Sequence, residues 1–174
     1  MNNHSLGRTP VVVLVLLAAA VCTIRPAKAG EPPPKDDAAV AAIRRLVTTY
    51  AQSVDAADVQ LAATVWANTS DVSFIHPLGH EHGWEAVKTN VYAKLMGETF
   101  SERKLNVKDL VVHAYANTAW VEFYWDFVAR FRGNGQPLMS HGRETQVYRK
   151  MKGRWQLVHV HYSGMPGTEE RRGF

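Results

Sequence analysis

The chain has 174 residues, with 20 Lys and Arg against 16 Asp and Glu, and a single cysteine, Cys22. Arg8, Arg25 and Lys28 precede Gly30 with no acidic residue among them, so the chain beyond that point is close to neutral and carries no basic stripe for nucleic acid. With no cysteine after Cys22, a disulfide framework, a thiolate metal site and a cysteine nucleophile are excluded from the same stretch.

Residues 1–29 read as a secretory signal peptide: Arg8 is the charged start, 11–22 the apolar core, and Ala27-Lys28-Ala29 the cleavage pattern. A secreted or periplasmic protein is expected, with no membrane span after cleavage, because the apolar run is short and followed at once by Arg25 and Pro26. Cys22 raises a lipoprotein alternative, which Val21 before it disfavours. Residues 30–37, with Pro32, Pro33 and Pro34, form a Pro-rich linker. One domain is expected over 38–164, followed by a polar tail over 165–174.

The domain opens with a helix from Asp36 or Asp37, in which Val40, Ile43, Val47, Tyr50 and Val54 make one apolar face. Residues 55–58 break it, and Asp58 caps a second short helix through Leu61, Ala62, Val65 and Trp66. A strand follows over 72–76. The segment His76-Pro77-Leu78-Gly79-His80-Glu81-His82-Gly83 then carries three of the eight histidines, with Pro and Gly fixing a turn. A third helix is predicted over 84–96, with Val87, Val91, Tyr92 and Leu95 on one face and Gly97 as its stop.

After Phe100 the pattern changes to period two. Strands are predicted around 105–113, over 119–131, over 139–151 and over 154–163, with turns at Asn117-Thr118, Gly133-Asn134-Gly135 and Lys152-Gly153. Helices first and antiparallel strands afterwards define an α+β class. On the long strand, Glu122, Tyr124, Asp126 and Val128 share one face, and Phe123, Trp125, Phe127 and Ala129 the other. On the last strand, Val158, Val160 and Tyr162 oppose Leu157, His159 and His161. Apolar bulk on both faces predicts helices on one and a second copy on the other, hence a homodimer or larger homo-oligomer.

This order of elements resembles the nuclear transport factor 2-like superfamily, which includes ketosteroid isomerases, SnoaL-like polyketide cyclases and the association (hub) domain of calcium/calmodulin-dependent kinase II. The resemblance implies a cone-shaped α+β fold, three N-terminal helices packed on a curved antiparallel sheet around a deep pocket. Glu144-Thr145-Gln146-Val147-Tyr148, Lys152-Gly153-Arg154-Trp155 and Val158-His159-Val160-His161-Tyr162-Ser163-Gly164 are similar to the end of the hub domain. Tyr50 with Val54-Asp55-Ala56-Ala57-Asp58 resembles the first helix of ketosteroid isomerases, and their catalytic aspartate turn falls on His76-Pro77-Leu78-Gly79. By that resemblance Tyr50 donates to an enolate oxygen and His76 is the base. The neutral carboxylic acid that assists falls near Gly142 and is missing.

The chemical reading therefore groups His76, Tyr50 and Asp126 as catalytic residues of a cofactor-free isomerase, cyclase or lyase acting on a small apolar molecule. Trp66, Tyr124, Gln146 and Tyr162 are the expected substrate-binding residues. The competing structural reading makes Tyr50 a core residue, His76 the end of a strand, and Asp126 the ion-pair partner of a nearby Lys or Arg. A metal site at His76, His80 and His82 with Glu81 has suitable ligand types, yet not the spacing of a helical zinc motif, and no metal is assigned. The alternative function is a noncatalytic ligand-binding or oligomerisation module like the hub domain.

Overall fold

The computed structural model describes residues 37–165. The expected signal peptide, all but the last residue of the expected linker, and the tail after Met165 lie outside the described residues. Helix α1 spans Asp37–Ala56 and buries Ile43, Val47, Tyr50 and Val54, as the apolar spacing predicts. Asp55 sits in its last turn rather than in a break. Its carboxylate accepts hydrogen bonds from the Leu105 backbone N–H and from Lys104 Nζ, both at 2.6 Å, and so fastens the helix end to the sheet. Helix α2 spans Val59–Val65, and the Asp58 carboxylate caps it by accepting from the N–H groups of Gln60 and Leu61.

The histidine-rich segment folds as a hairpin around the turn at Pro77 and Leu78. Strand β1 spans Ser73–His76 and pairs antiparallel with β2, Gly79–His82. A single turn, α3 (Trp84–Ala86), leads directly into a π-helix over Val87–Glu98. Its buried residues are Val87, Val91, Tyr92 and Met96, four and five positions apart, a wider repeat than an α-helix produces. The Thr99 N–H closes it on the Lys94 carbonyl five residues back. Gly97 lies inside the π-helix and does not stop it.

Four long strands complete the sheet: β3 (Phe100–Ala114), β4 (Thr118–Phe131), β5 (Pro137–Met151) and β6 (Arg154–Gly164). The order is β2-β1-β6-β5-β4-β3. Strand β1 runs parallel to β6 while the other pairings are antiparallel, so the sheet is mixed, which corrects the expectation of an antiparallel one. Asp109, with φ of 52°, marks a bulge in β3 between Lys108 and Val111.

Phe123, Trp125, Phe127 and Ala129 are buried on the inner face with the helices, while Tyr124 and Val128 are exposed on the outer face. Strand β6 departs from simple alternation. A register shift opposite Val147 and Tyr148 places both Leu157 and Val160 in the core. No helix among the described residues is long and apolar enough to cross a membrane.

Candidate active site

The curved sheet leaves a cavity of about 190 Å³ between its inner face, α1 and the π-helix. Tyr50 and Val54 of α1, Val91 and Met96 of the π-helix, and Phe100, Leu105 and Phe127 of the sheet give it apolar walls. Leu78, in the β1–β2 turn, lines it and is 76 % exposed, which places the mouth at that hairpin. The polar groups reaching the cavity are few: Glu144, Ser140, Tyr162, the Tyr50 phenol and Trp125, whose buried Nε1–H has no hydrogen-bond partner among the described residues.

Glu144 is the chemical centre. It lies on the inner face of β5 with Gly142, Gln146 and Tyr148, and it is 4 % exposed. Burial pushes its carboxyl up to about 7, because the anion has lost water that the apolar wall does not replace; hydrogen bonds from Gln146 and Tyr50 pull the other way. A polar ladder runs along β5. The Tyr148 hydroxyl donates to Gln146 Oε1, which turns the Gln146 amide so that Nε2 donates to Glu144 Oε1 at 2.7 Å. Tyr50 is held protonated, raised well above the ordinary phenol value first by burial and then by the Glu144 charge. Tyr162 is pushed up to about 12 by the same two causes.

Of the residues expected from sequence, Tyr50 and Tyr162 meet at this cavity. His76 stands one ring behind the wall. Its ring lies nearly parallel to Tyr162, with centroids 6.2 Å apart, and edge-on to Phe74 at 5.5 Å; both of those neighbours line the cavity. Asp126 and Tyr124 point away, on the outer face. There Asp126 pairs with Lys108 Nζ at 2.7 Å, so the expected triad is not assembled. Trp66 is fully buried and donates from Nε1 to the Tyr92 hydroxyl, away from the cavity lining. Gln146 is also fully buried and acts on Glu144 rather than lining the cavity.

The hairpin pleat divides the histidines weighed as metal ligands. The His80 and His82 rings lie against each other, tilted by 40° with centroids 3.9 Å apart, while His76 and Glu81 approach each other at 3.6 Å. Among the described residues no group of three or more His, Cys, Asp or Glu is arranged to hold a metal ion.

Sequence reasoning missed Glu144. Its signal was the period-two phase of β5, which puts it beside Tyr148 and Gln146 and opposite the charged Arg143 and Arg149. Gly142 cannot carry the missing acid, because a Cβ there would lie 2.1 Å from the Ser163 carbonyl oxygen and 2.5 Å from the Trp125 ring. The carboxyl stands two residues further along the same face.

The model of the SnoaL-like domain matches residues 43–168. Among solved structures, a nuclear transport factor 2-like superfamily protein from Salmonella enterica serovar Typhimurium is 39 % identical, with a TM-score of 0.77 over 80 % of this chain and 100 % of its own. A proposed dehydratase of the same family from Streptomyces avermitilis shares the fold at 19 % identity and TM-score 0.67, over 76 % of this chain and 100 % of its own. Hexachlorocyclohexane dehydrochlorinase LinA-type3 from Novosphingobium barchaimii does so at 14 % identity and TM-score 0.65, over 74 % and 88 %. A comparison with curated proteins finds no match. The chain belongs to the SnoaL-like family of the nuclear transport factor 2-like superfamily, whose members are often isomerases, dehydratases or cyclases.

Proposed function

We propose that the protein binds a small, neutral, ring-containing molecule in this cavity and moves a proton on it without a cofactor, as an isomerase, cyclase or lyase. The observation that carries the reading is the Glu144 carboxyl, facing a largely apolar cavity and brought to about 7, where its acid and base forms coexist at neutral pH. The base expected at His76 and the carboxyl expected at Asp126 are both replaced by Glu144.

The ionised carboxylate takes a proton from a carbon next to a carbonyl, and the electron pair moves onto the carbonyl oxygen. Tyr50 and Tyr162, both held protonated, and the unpaired Trp125 Nε1–H are the donors available to that oxygen. Return of the proton to a different carbon is an isomerisation; its transfer to a departing oxygen is an elimination. Size limits the ligand. A dry cavity of about 150 Å³ holds one benzene ring, so about 190 Å³ suits a single ring with few substituents.

Exchange of α-protons of small cyclic ketones in deuterated water, followed by NMR, tests the reading. The full chain is expected to catalyse exchange with a rate that rises to a plateau above about pH 7. Glu144→Gln is expected to lower it by roughly 10²–10⁴-fold while ketone binding persists. Undiminished exchange in the variant contradicts the assignment.

Export through the N-terminal segment and assembly as a homodimer belong to the same proposal. The exposed Tyr124 and Val128 on the outer sheet face favour an assembled state, and they are also what supports the second reading, a noncatalytic oligomerisation module. Native mass spectrometry of the exported protein checks cleavage and subunit number together.

A further inference from the structure

His76 has a neighbourhood that the cavity chemistry does not use. Its side chain is 7 % exposed, and among the described residues neither ring nitrogen has a hydrogen-bond partner, an expensive condition for a buried imidazole. Across the hairpin His76 pairs with Gly79. The ring and the Glu81 carboxylate converge over that glycine: an added Cβ would lie 3.8 Å from His76 Cε1 and 4.0 Å from Glu81 Oε1. Glu81 Oε1 stands 3.6 Å from His76 Nε2. The other oxygen, Oε2, accepts a 2.7 Å hydrogen bond from Asn90 Nδ2 of the π-helix, and Glu81 is itself 16 % exposed. On its far side His76 lies against Tyr162, which lines the cavity.

We propose that Glu81, anchored by Asn90, is a positioning residue that holds the hydrogen of His76 on Nε2 and fixes the imidazole behind Tyr162. The functional weight of this rests on the proton-transfer reading of the cavity; the geometry does not. An ordinary N–H···O distance is about 2.9 Å, so a shift of less than about 1 Å completes the bond. A carboxylate oxygen accepts from Nε2–H, and in the neutral ring that places the single imidazole hydrogen on Nε2 and leaves Nδ1 as an acceptor. Asn90 stops Glu81 from turning away, since one oxygen is already engaged. The widened turn of the π-helix thereby gains a role, a type of distortion that recurs at functional sites.

NMR of the ¹⁵N-labelled full chain, with the His76 signals assigned from a His76→Gln spectrum, tests this. The expected result is a slowly exchanging, downfield Nε2–H proton in the neutral imidazole, lost in Glu81→Ala and retained in Glu81→Gln, whose amide oxygen still accepts. Circular dichroism confirms that each variant is folded. A His76 hydrogen on Nδ1, the absence of the Nε2–H resonance in the parent protein, or its persistence unmoved in Glu81→Ala overturns the proposal. Activity is not the readout, so failure of the Glu144 chemistry and failure of this positioning are separately visible.

Discussion

Two adjacent inner positions of β5 decide what the pocket is. Gly142 has no side chain because the Trp125 ring and the Ser163 carbonyl occupy the space where one would go. Trp125 in turn meets Tyr162 edge-on at 5.6 Å and forms part of the cavity wall. Glu144, one pleat on, carries the carboxyl instead, and Gln146 and Tyr148 behind it supply a donor of fixed orientation. Gly142→Ala is expected to cost roughly 1–3 kcal/mol by overpacking against rigid backbone, read from urea unfolding, with a change in tryptophan fluorescence as Trp125 is displaced. Unchanged stability would mean that β5 and β6 separate more freely than their pairing implies. Tyr50 was legible in the sequence because its apolar repeat fixes which side of α1 faces inward. Glu144 was not, since a lone acid in an alternating strand reads equally well as solvated until the phase of its neighbours is known. Tyr124 is ambiguous for the same reason: an aromatic residue in an alternating strand fits either face, and Phe123, Trp125 and Phe127 together make the bulkier face and take the core.

At the level of elements, periodicity and end signals carried most of what could be read. The α1 stripe, the Asp58 cap and the Gly133-Asn134-Gly135 hairpin turn all stand where local chemistry puts them. Asp58→Ala is expected to cost about 1 kcal/mol, measured by thermal unfolding, because two N–H groups lose their acceptor. A variant as stable as the parent would show that water replaces the cap fully. The π-helix was not legible: an apolar spacing of four and five over one short segment fits an α-helix nearly as well, and the choice is made by packing against the sheet. Nor was the parallel pairing of β1 with β6, which depends on where the chain returns after the β3–β6 meander rather than on any residue in β1. The β1–β2 hairpin was hidden by its polarity, for Gly79–His82 is mostly exposed and carries no apolar alternation.

For the whole molecule, the buried carboxyl links function to stability. Glu144 holds its proton more tightly in the folded chain, at about 7, than at the ordinary value of 4.5. The folded state therefore binds more protons than the unfolded state between those two limits, and stability falls as pH rises through them. The shift corresponds to about 3 kcal/mol, present below about pH 4.5 and lost above about pH 7. A fold that keeps this group ionisable at neutral pH gives up stability at the place where the proposed chemistry occurs, a common trade at active sites. The decisive measurement is the unfolding free energy of the parent protein and of Glu144→Gln, in parallel from pH 4 to pH 8. The parent is expected to lose about 3 kcal/mol relative to the variant across that window. Two curves that stay parallel would show an ordinary carboxyl at Glu144 and would contradict the poised acid on which the proposed function rests.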